Sequence, residues 1–123
     1  MSDNYFKTGL ENLKKIVGTA GSNVIENLSD IAPDLARYII EFAFGQIYER
    51  PGLSLQEREL LTLSSLLTAG GCEAQLQVHI NAALHVGIKE DKIIEAFLHC
   101  IPYTGFPKVL NAVAVAGQIF SGK

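Results

Sequence analysis

Glycine and proline divide this sequence into short segments, and this division is the feature that most restricts its fold. Within most segments, apolar residues recur every three or four positions, as they do on one face of an amphipathic helix. The long apolar segments lack the strict alternation of a half-buried strand. The pattern therefore predicts an all-α fold.

Seven helices are expected from these breaks. Pro33 stands where a first-turn proline is tolerated, Gly87 suits a left-handed residue after a helix end, and Pro102 is expected to stop the sixth helix. Ser54 and Glu57 have the spacing of a capping box at the start of the fourth helix. The predicted helices form a small bundle and cover approximately residues 3–17, 22–28, 33–48, 54–68, 72–85, 90–100 and 107–120.

Length and composition predict one domain with covered apolar faces. The chain has 123 residues, which corresponds to a single domain over residues 1–123. Hydrophobic residues make up 48% of it, a high share for a chain with so much surface per volume. We therefore expect other subunits to cover some of its helix faces.

Charge and hydropathy argue against two classes of partner. The formal net charge is −3, and the basic residues are scattered, so a nucleic-acid partner is not expected. The longest apolar stretches fall far short of the roughly 20 residues that a membrane span needs. The start of the chain lacks a signal-peptide apolar region, so we predict a cytoplasmic location, where Cys72 and Cys100 would be free thiols.

Glu59 and His79 are the first candidates for chemistry. Glu59 precedes a strongly apolar helical run, and a carboxylate beside such a surface is partly desolvated and can serve as an acid or base. It can equally be an ordinary glutamate favoured near a helix N-terminus by the helix dipole. His79 lies in the middle of the fifth helix and can instead be a core histidine bonded to a backbone carbonyl.

Cys72 is the third candidate. It lies seven residues before His79, two turns away on the same helix face. It also follows two glycines at a helix N-terminus, where unpaired N–H groups favour a thiolate. A small buried hydrophobe is the alternative interpretation. The three histidines show no metal-binding spacing, so we predict no metal site.

Several motifs follow one another in the order found in one known family. They are APDL at 32–35, GQIYERPGLS at 45–54, ERELLTL at 57–63, QLQVH at 75–79, AALHVG at 82–87 and YTGFP at 103–107. Over roughly residues 31 to 117, this ordered set resembles the carboxymuconolactone decarboxylase family.

The resemblance implies an alkyl hydroperoxidase D-like bundle of six to seven helices, which assembles into a homo-oligomeric ring, a trimer or hexamer. It implies a reaction without a metal or organic cofactor in the decarboxylase branch. Glu59 and His79 match the polar pair shared by both branches of the family. Cys72 matches the first cysteine of the thiol branch, but Gln75 stands where the second should be.

The leading hypothesis from this resemblance is a decarboxylase acting on a small carboxylated lactone or related acid. His79 would move a proton at the carbon that loses CO2, and Glu59 would orient His79. Arg50 or Arg58 would hold a substrate carboxylate. Tyr103 would donate to the lactone carbonyl.

Two further hypotheses remain open. In the first, the protein is an antioxidant thiol peroxidase of the peroxiredoxin type, in which Cys72 attacks and His79 activates it. In the second, it is a non-catalytic oligomer that binds a small molecule, since the fold alone does not fix function.

Overall fold

The computed structural model describes the backbone of residues 2–122 and the side chains of residues 4–122. Over this range the chain contains helices and no strand, so the predicted all-α class is confirmed. The elements are α1 (Ser2–Ile16), α2 (Thr19–Ser29), α3 (Pro33–Tyr38), a π-helical segment (Ile39–Ile47), α4 (Leu55–Ala69), α5 (Glu73–His85), α6 (Glu90–Thr104) and α7 (Phe106–Ser121).

Backbone contacts group these elements into two units. The first ends at Leu55 and holds α1, α2, α3 and the π-helical segment, whereas the second begins at Gln56 and holds α4 to α7. A single domain over residues 1–123 remains a prediction. No helix in the described part of the chain combines the length and the apolar character needed to cross a bilayer.

The third predicted helix is interrupted by a change of hydrogen bonding. It starts at Pro33 as expected, but from residue 39 onward the helix is wider, and the N–H of Tyr48 donates to the carbonyl of Ala43 over 2.9 Å. Close packing against α1 accompanies the wider segment, because a Cβ on Gly9 would overlap the carbonyl oxygen of Ile40. A π-helical register is a property of such packing, which the apolar pattern alone does not reveal.

The predicted end of the sixth helix is wrong, because α6 continues through Pro102 to Thr104. Proline removes one backbone N–H, but its fixed φ is close to helical values, so the last turn can accommodate it. The hydroxyl of Thr104 donates to the carbonyl of Cys100 over 3.0 Å in this turn. The helix ends instead at Gly105, whose φ of 92° is one that glycine adopts readily.

The second unit is organised around a continuous apolar core. Two fully buried alanines, Ala112 and Ala116, let α7 pack closely against α5 and α6. The backbone of α4 stands further from its neighbours, and its core-facing residues are leucines. The buried core residues are Leu63, Leu67, Leu76, Ile80, Ala83, Ile88, Ile93, Phe97, Cys100, Val109, Ala112 and Ala116.

Candidate active site

Glu59 and His79 meet between α4 and α5, at the edge of this core. The Nδ1 atom of His79 lies 2.9 Å from Oε1 of Glu59, a hydrogen-bonding distance. The Glu59 side chain has no exposed surface, whereas 19% of the His79 side chain is exposed. The structure therefore brings the two leading candidate residues together, with the carboxylate on the inside and the imidazole on the outside.

Helical spacing explains why both side chains reach this edge. Glu59 precedes the buried Leu63 by one turn, so it lies on the core-facing side of α4. His79 follows the buried Leu76 by three positions and is adjacent to the buried Ile80. Each polar residue thus continues the apolar stripe of its helix, and only His79 reaches solvent.

The contact assigns different roles to the two ring nitrogens of His79 when Glu59 is ionised. An ionised carboxylate can only accept hydrogen bonds, so Nδ1 of His79 carries the proton that Glu59 binds. The other ring nitrogen, Nε2, then remains the position that can give or take a proton. A buried carboxylate that orients an imidazole in this way holds one tautomer and stabilises the imidazolium.

The end of α5 is closed by a turn of the kind that the sequence predicts. Gly87, with a φ of 99°, donates its N–H to the carbonyl of Leu84, and Ile88 donates to that of Ala83. This pair of bonds is a Schellman motif and ends the helix two turns after His79.

Gln56 provides a contact that sequence reasoning missed. Its Nε2 donates over 2.7 Å to the carbonyl oxygen of Val86, the residue that caps α5. Gln56 is exposed in the first turn of α4, where glutamine is common on any solvated helix face. No periodic or motif signal distinguishes it in the sequence.

Cys72 lies where it was expected, immediately before α5, and is half-buried. Its thiol donates to the carbonyl of Gly70 over 3.4 Å, a hydrogen bond that the thiol makes only while protonated. The other cysteine, Cys100, is buried in the core on α6. A dithiol relay requires a resolving thiol next to the attacking one, so this arrangement gives the thiol hypothesis no specific support.

The three predicted substrate-binding residues lie in different places. Arg58 directly precedes Glu59 and is half-buried, so it belongs to the same turn of α4 as Glu59, with which His79 forms the Glu59–His79 dyad. Tyr103 is 77% exposed in the last turn of α6, with its ring 5.8 Å from that of His99. Arg50 belongs to the first unit, where its backbone N–H donates to the carbonyl of Ile47 over 3.2 Å.

An open cleft of about 310 Å³ lies on another face of α5. Its lining includes Gln77 and Asn81, which are each two positions from His79 and hence about 200° around the helix. The remaining lining residues are Val115, Gln118, Ile119 and Gly122. The cleft is therefore separate from the Glu59–His79 pair.

Comparison with known proteins gives a consistent result. The sequence model of the carboxymuconolactone decarboxylase family matches residues 33–118. A 4-carboxymuconolactone decarboxylase of Acinetobacter baylyi is 35% identical over 116 residues, covering 94% of this chain and 86% of that protein. A nitrosuccinic acid decarboxylase of Metarhizium robertsii is 32% identical over 111 residues, covering 89% and 77%. The matched range includes Glu59, Cys72 and His79.

Proposed function

Because the chain belongs to the carboxymuconolactone decarboxylase family, we propose that it is a carboxy-lyase in which His79 transfers the proton and Glu59 orients His79. The observation that carries this proposal is the 2.9 Å contact between a fully buried carboxylate and a partly exposed imidazole. An acid or base needs such a fixed orientation together with access to its substrate.

The proposed substrate is a small acid that can itself hold the electron pair left by CO2. The names of the two relatives point to this class. In 4-carboxymuconolactone a conjugated lactone can accept the electrons, and in nitrosuccinic acid a nitro group can. Substrates of this kind need no cofactor to stabilise the carbanion, so we propose a cofactor-independent reaction.

The proposed step breaks one C–C bond and forms one C–H bond. As CO2 leaves, the bonding pair passes into the conjugated acceptor, and its oxygen carries the negative charge. The imidazolium of His79 then donates its Nε2 proton to a carbon of this conjugated anion. The neutral imidazole regains a proton from water. Throughout, Glu59 accepts the Nδ1–H bond and stabilises the protonated ring.

Three further residues are proposed to bind the substrate. Arg58 is supported by its position next to Glu59, and Arg50 by the bidentate pairing of guanidinium with carboxylate. Tyr103 is proposed to donate its exposed hydroxyl to a substrate carbonyl. Replacing a binding residue is expected to raise KM more than it lowers kcat.

Substitution of His79 tests the proposed role directly. Purified His79→Ala should lose at least about 100-fold in turnover of 4-carboxymuconolactone or nitrosuccinic acid, since general acid–base catalysis contributes about 10²–10⁴-fold. His85→Ala, which removes an exposed histidine at the end of α5, is the matched control. A loss of less than tenfold in His79→Ala would contradict the role, and an inactive wild-type protein would contradict the substrate class.

We also propose that the protein is a homo-oligomer, a trimer or hexamer, in which a neighbouring copy covers an exposed apolar stripe. The stripe begins at Ile31 in the turn before α3, continues through Leu35 and Tyr38 of α3 and ends at Phe42 of the π-helical segment. The exposures of these residues are 85%, 48%, 58% and 57%. Large contiguous apolar patches usually mark interaction surfaces. Light scattering should show a multimer that Tyr38→Glu with Phe42→Glu dissociates, and a monomeric wild-type protein would overturn the proposal.

A further inference from the structure

Gln56 links the start of α4 to the end of α5. Its Nε2 and the carbonyl oxygen of Val86 are 2.7 Å apart, although the residues are thirty positions apart in sequence. Carbonyl groups at a helix C-terminus lack partners within the helix. The side chain of Gln56 supplies one of these carbonyls with a donor from another helix.

This link and the dyad are neighbouring contacts between the same two helices. Gln56 precedes Glu59 by about one turn on α4, and Val86 follows His79 by about two turns on α5. The two helices are antiparallel, because the contact nearer the start of α4 is the one nearer the end of α5. The Glu59–His79 dyad therefore lies between the apolar core on one side and the Gln56–Val86 hydrogen bond on the other.

A polar link has most effect where helix packing is least close. The backbone of α4 approaches the other helices of the second unit less closely than α5 and α6 approach α7. The first turn of a helix also lacks internal partners for its N–H groups and opens easily. From these contacts we infer that Gln56 is a positioning residue, whose bond to Val86 holds α4 at the distance that lets Glu59 reach His79.

Two substitutions at Gln56 distinguish this role from a general effect on the helix end. Gln56→Glu keeps the side-chain length and suits the positive end of the helix dipole, but a carboxylate cannot donate to the carbonyl of Val86. Gln56→Lys opposes the dipole but retains a donor of similar reach. The positioning role therefore predicts a disturbed Glu59–His79 contact in Gln56→Glu and an intact one in Gln56→Lys. An effect on helix stability alone predicts the reverse.

The measurement is an NMR spectrum of protein with ¹⁵N-labelled histidine. The signals of His79 are assigned by their loss in His79→Gln, and they report the tautomer and the Nδ1–H bond. We expect Gln56→Glu to shift or broaden these signals, with Gln56→Lys and the control Gln118→Glu, an exposed glutamine of α7, resembling the wild type. Unchanged His79 signals in Gln56→Glu would overturn the inference. Equal changes in the two variants, or a change in Gln56→Lys alone, would overturn it as well.

A kinetic measurement connects the inference to catalysis and rests on the proposed function. Loss of one positioning hydrogen bond should lower kcat in Gln56→Glu by about threefold to tenfold, with little change in KM. Recovery of kcat in Gln56→Lys would support the positioning role, and its absence would oppose it. A wild-type protein without decarboxylase activity would refute the proposed function alone, because the NMR comparison of the dyad does not require turnover.

Discussion

Replacing Glu59 by glutamine removes the charge of the buried carboxylate while keeping its size. The amide oxygen can still accept the Nδ1–H bond at the observed 2.9 Å. A charge-assisted bond contributes about 1.5–3 kcal/mol and a neutral one about 0.5–1.5 kcal/mol, so the bond itself weakens by about 1 kcal/mol. However, a fully buried amide costs less desolvation than a fully buried carboxylate. We expect these effects to oppose each other and to change the free energy of unfolding by less than about 1 kcal/mol.

The same substitution should have a much larger effect on catalysis. Two unit charges 4 Å apart attract each other by about 4 kcal/mol at an effective dielectric constant of about 20. The bonded atoms of Glu59 and His79 are 2.9 Å apart. The centres of charge of a carboxylate and an imidazolium lie somewhat further apart than the bonded atoms, at about 4 Å. Because about 1.4 kcal/mol corresponds to tenfold in rate, the full attraction is equivalent to almost three powers of ten. We expect kcat/KM to fall by about 10²–10³.

The assay compares steady-state decarboxylation with thermal unfolding for the same preparations. Glu95→Gln removes an exposed carboxylate from α6 and serves as the control for the change in net charge. Glu59→Gln should melt within about 5 °C of the wild type while losing activity, and the control should retain both. A loss of activity below tenfold in folded Glu59→Gln would refute the proposed role of the carboxylate. A loss that parallels unfolding would show that Glu59 serves stability instead.

Three further substitutions have defined expectations. Cys72→Ser should retain decarboxylase activity within about twofold, because the proposed proton transfer does not use the thiol; measured kcat/KM checks this, and a large loss would favour thiol chemistry. Gly87→Ala should destabilise the protein by about 1–2 kcal/mol, since its φ of 99° is strained for a residue with a Cβ. Denaturant unfolding measures this free energy, and an unchanged value would contradict the prediction. Gly9→Ala should cost about 1–3 kcal/mol or more, because the added methyl overlaps the carbonyl of Ile40; an unchanged melting temperature would exclude this close packing.

Helix ends were predictable where one residue determines them locally. Pro33 begins α3 and Gly87 follows α5, as their backbone preferences indicate. Pro102 was misleading, because a proline near a helix C-terminus removes one hydrogen bond without preventing the last turn. The π-helical segment was not predictable, since its register accompanies contact with Gly9, which is distant in sequence.

The contact between Glu59 and His79 agrees with the hypothesis drawn from the sequence, which expected the carboxylate to be partly desolvated but not completely buried. The apolar run after Glu59 and the family resemblance made Glu59 and His79 candidates, yet the sequence was also compatible with a solvated glutamate and a histidine bonded to a backbone carbonyl. The structure excludes both alternatives, because the carboxylate is fully buried and is itself the partner of the imidazole. Gln56 could not be identified from the sequence, because its partner is a main-chain carbonyl at the end of another helix.

Stability alone gives no reason for the Glu59–His79 pair. Replacement of a buried ion pair by apolar residues of similar volume is often neutral or stabilising by about 1–4 kcal/mol, because desolvation offsets the attraction. Here the apolar stripes of α4 and α5 meet at this position, so two apolar side chains would continue the core. The pair instead places a fully buried acceptor behind a ring that keeps 19% of its surface exposed. This one-sided access is of no use to a structural contact, but it is what a proton-transferring imidazole needs.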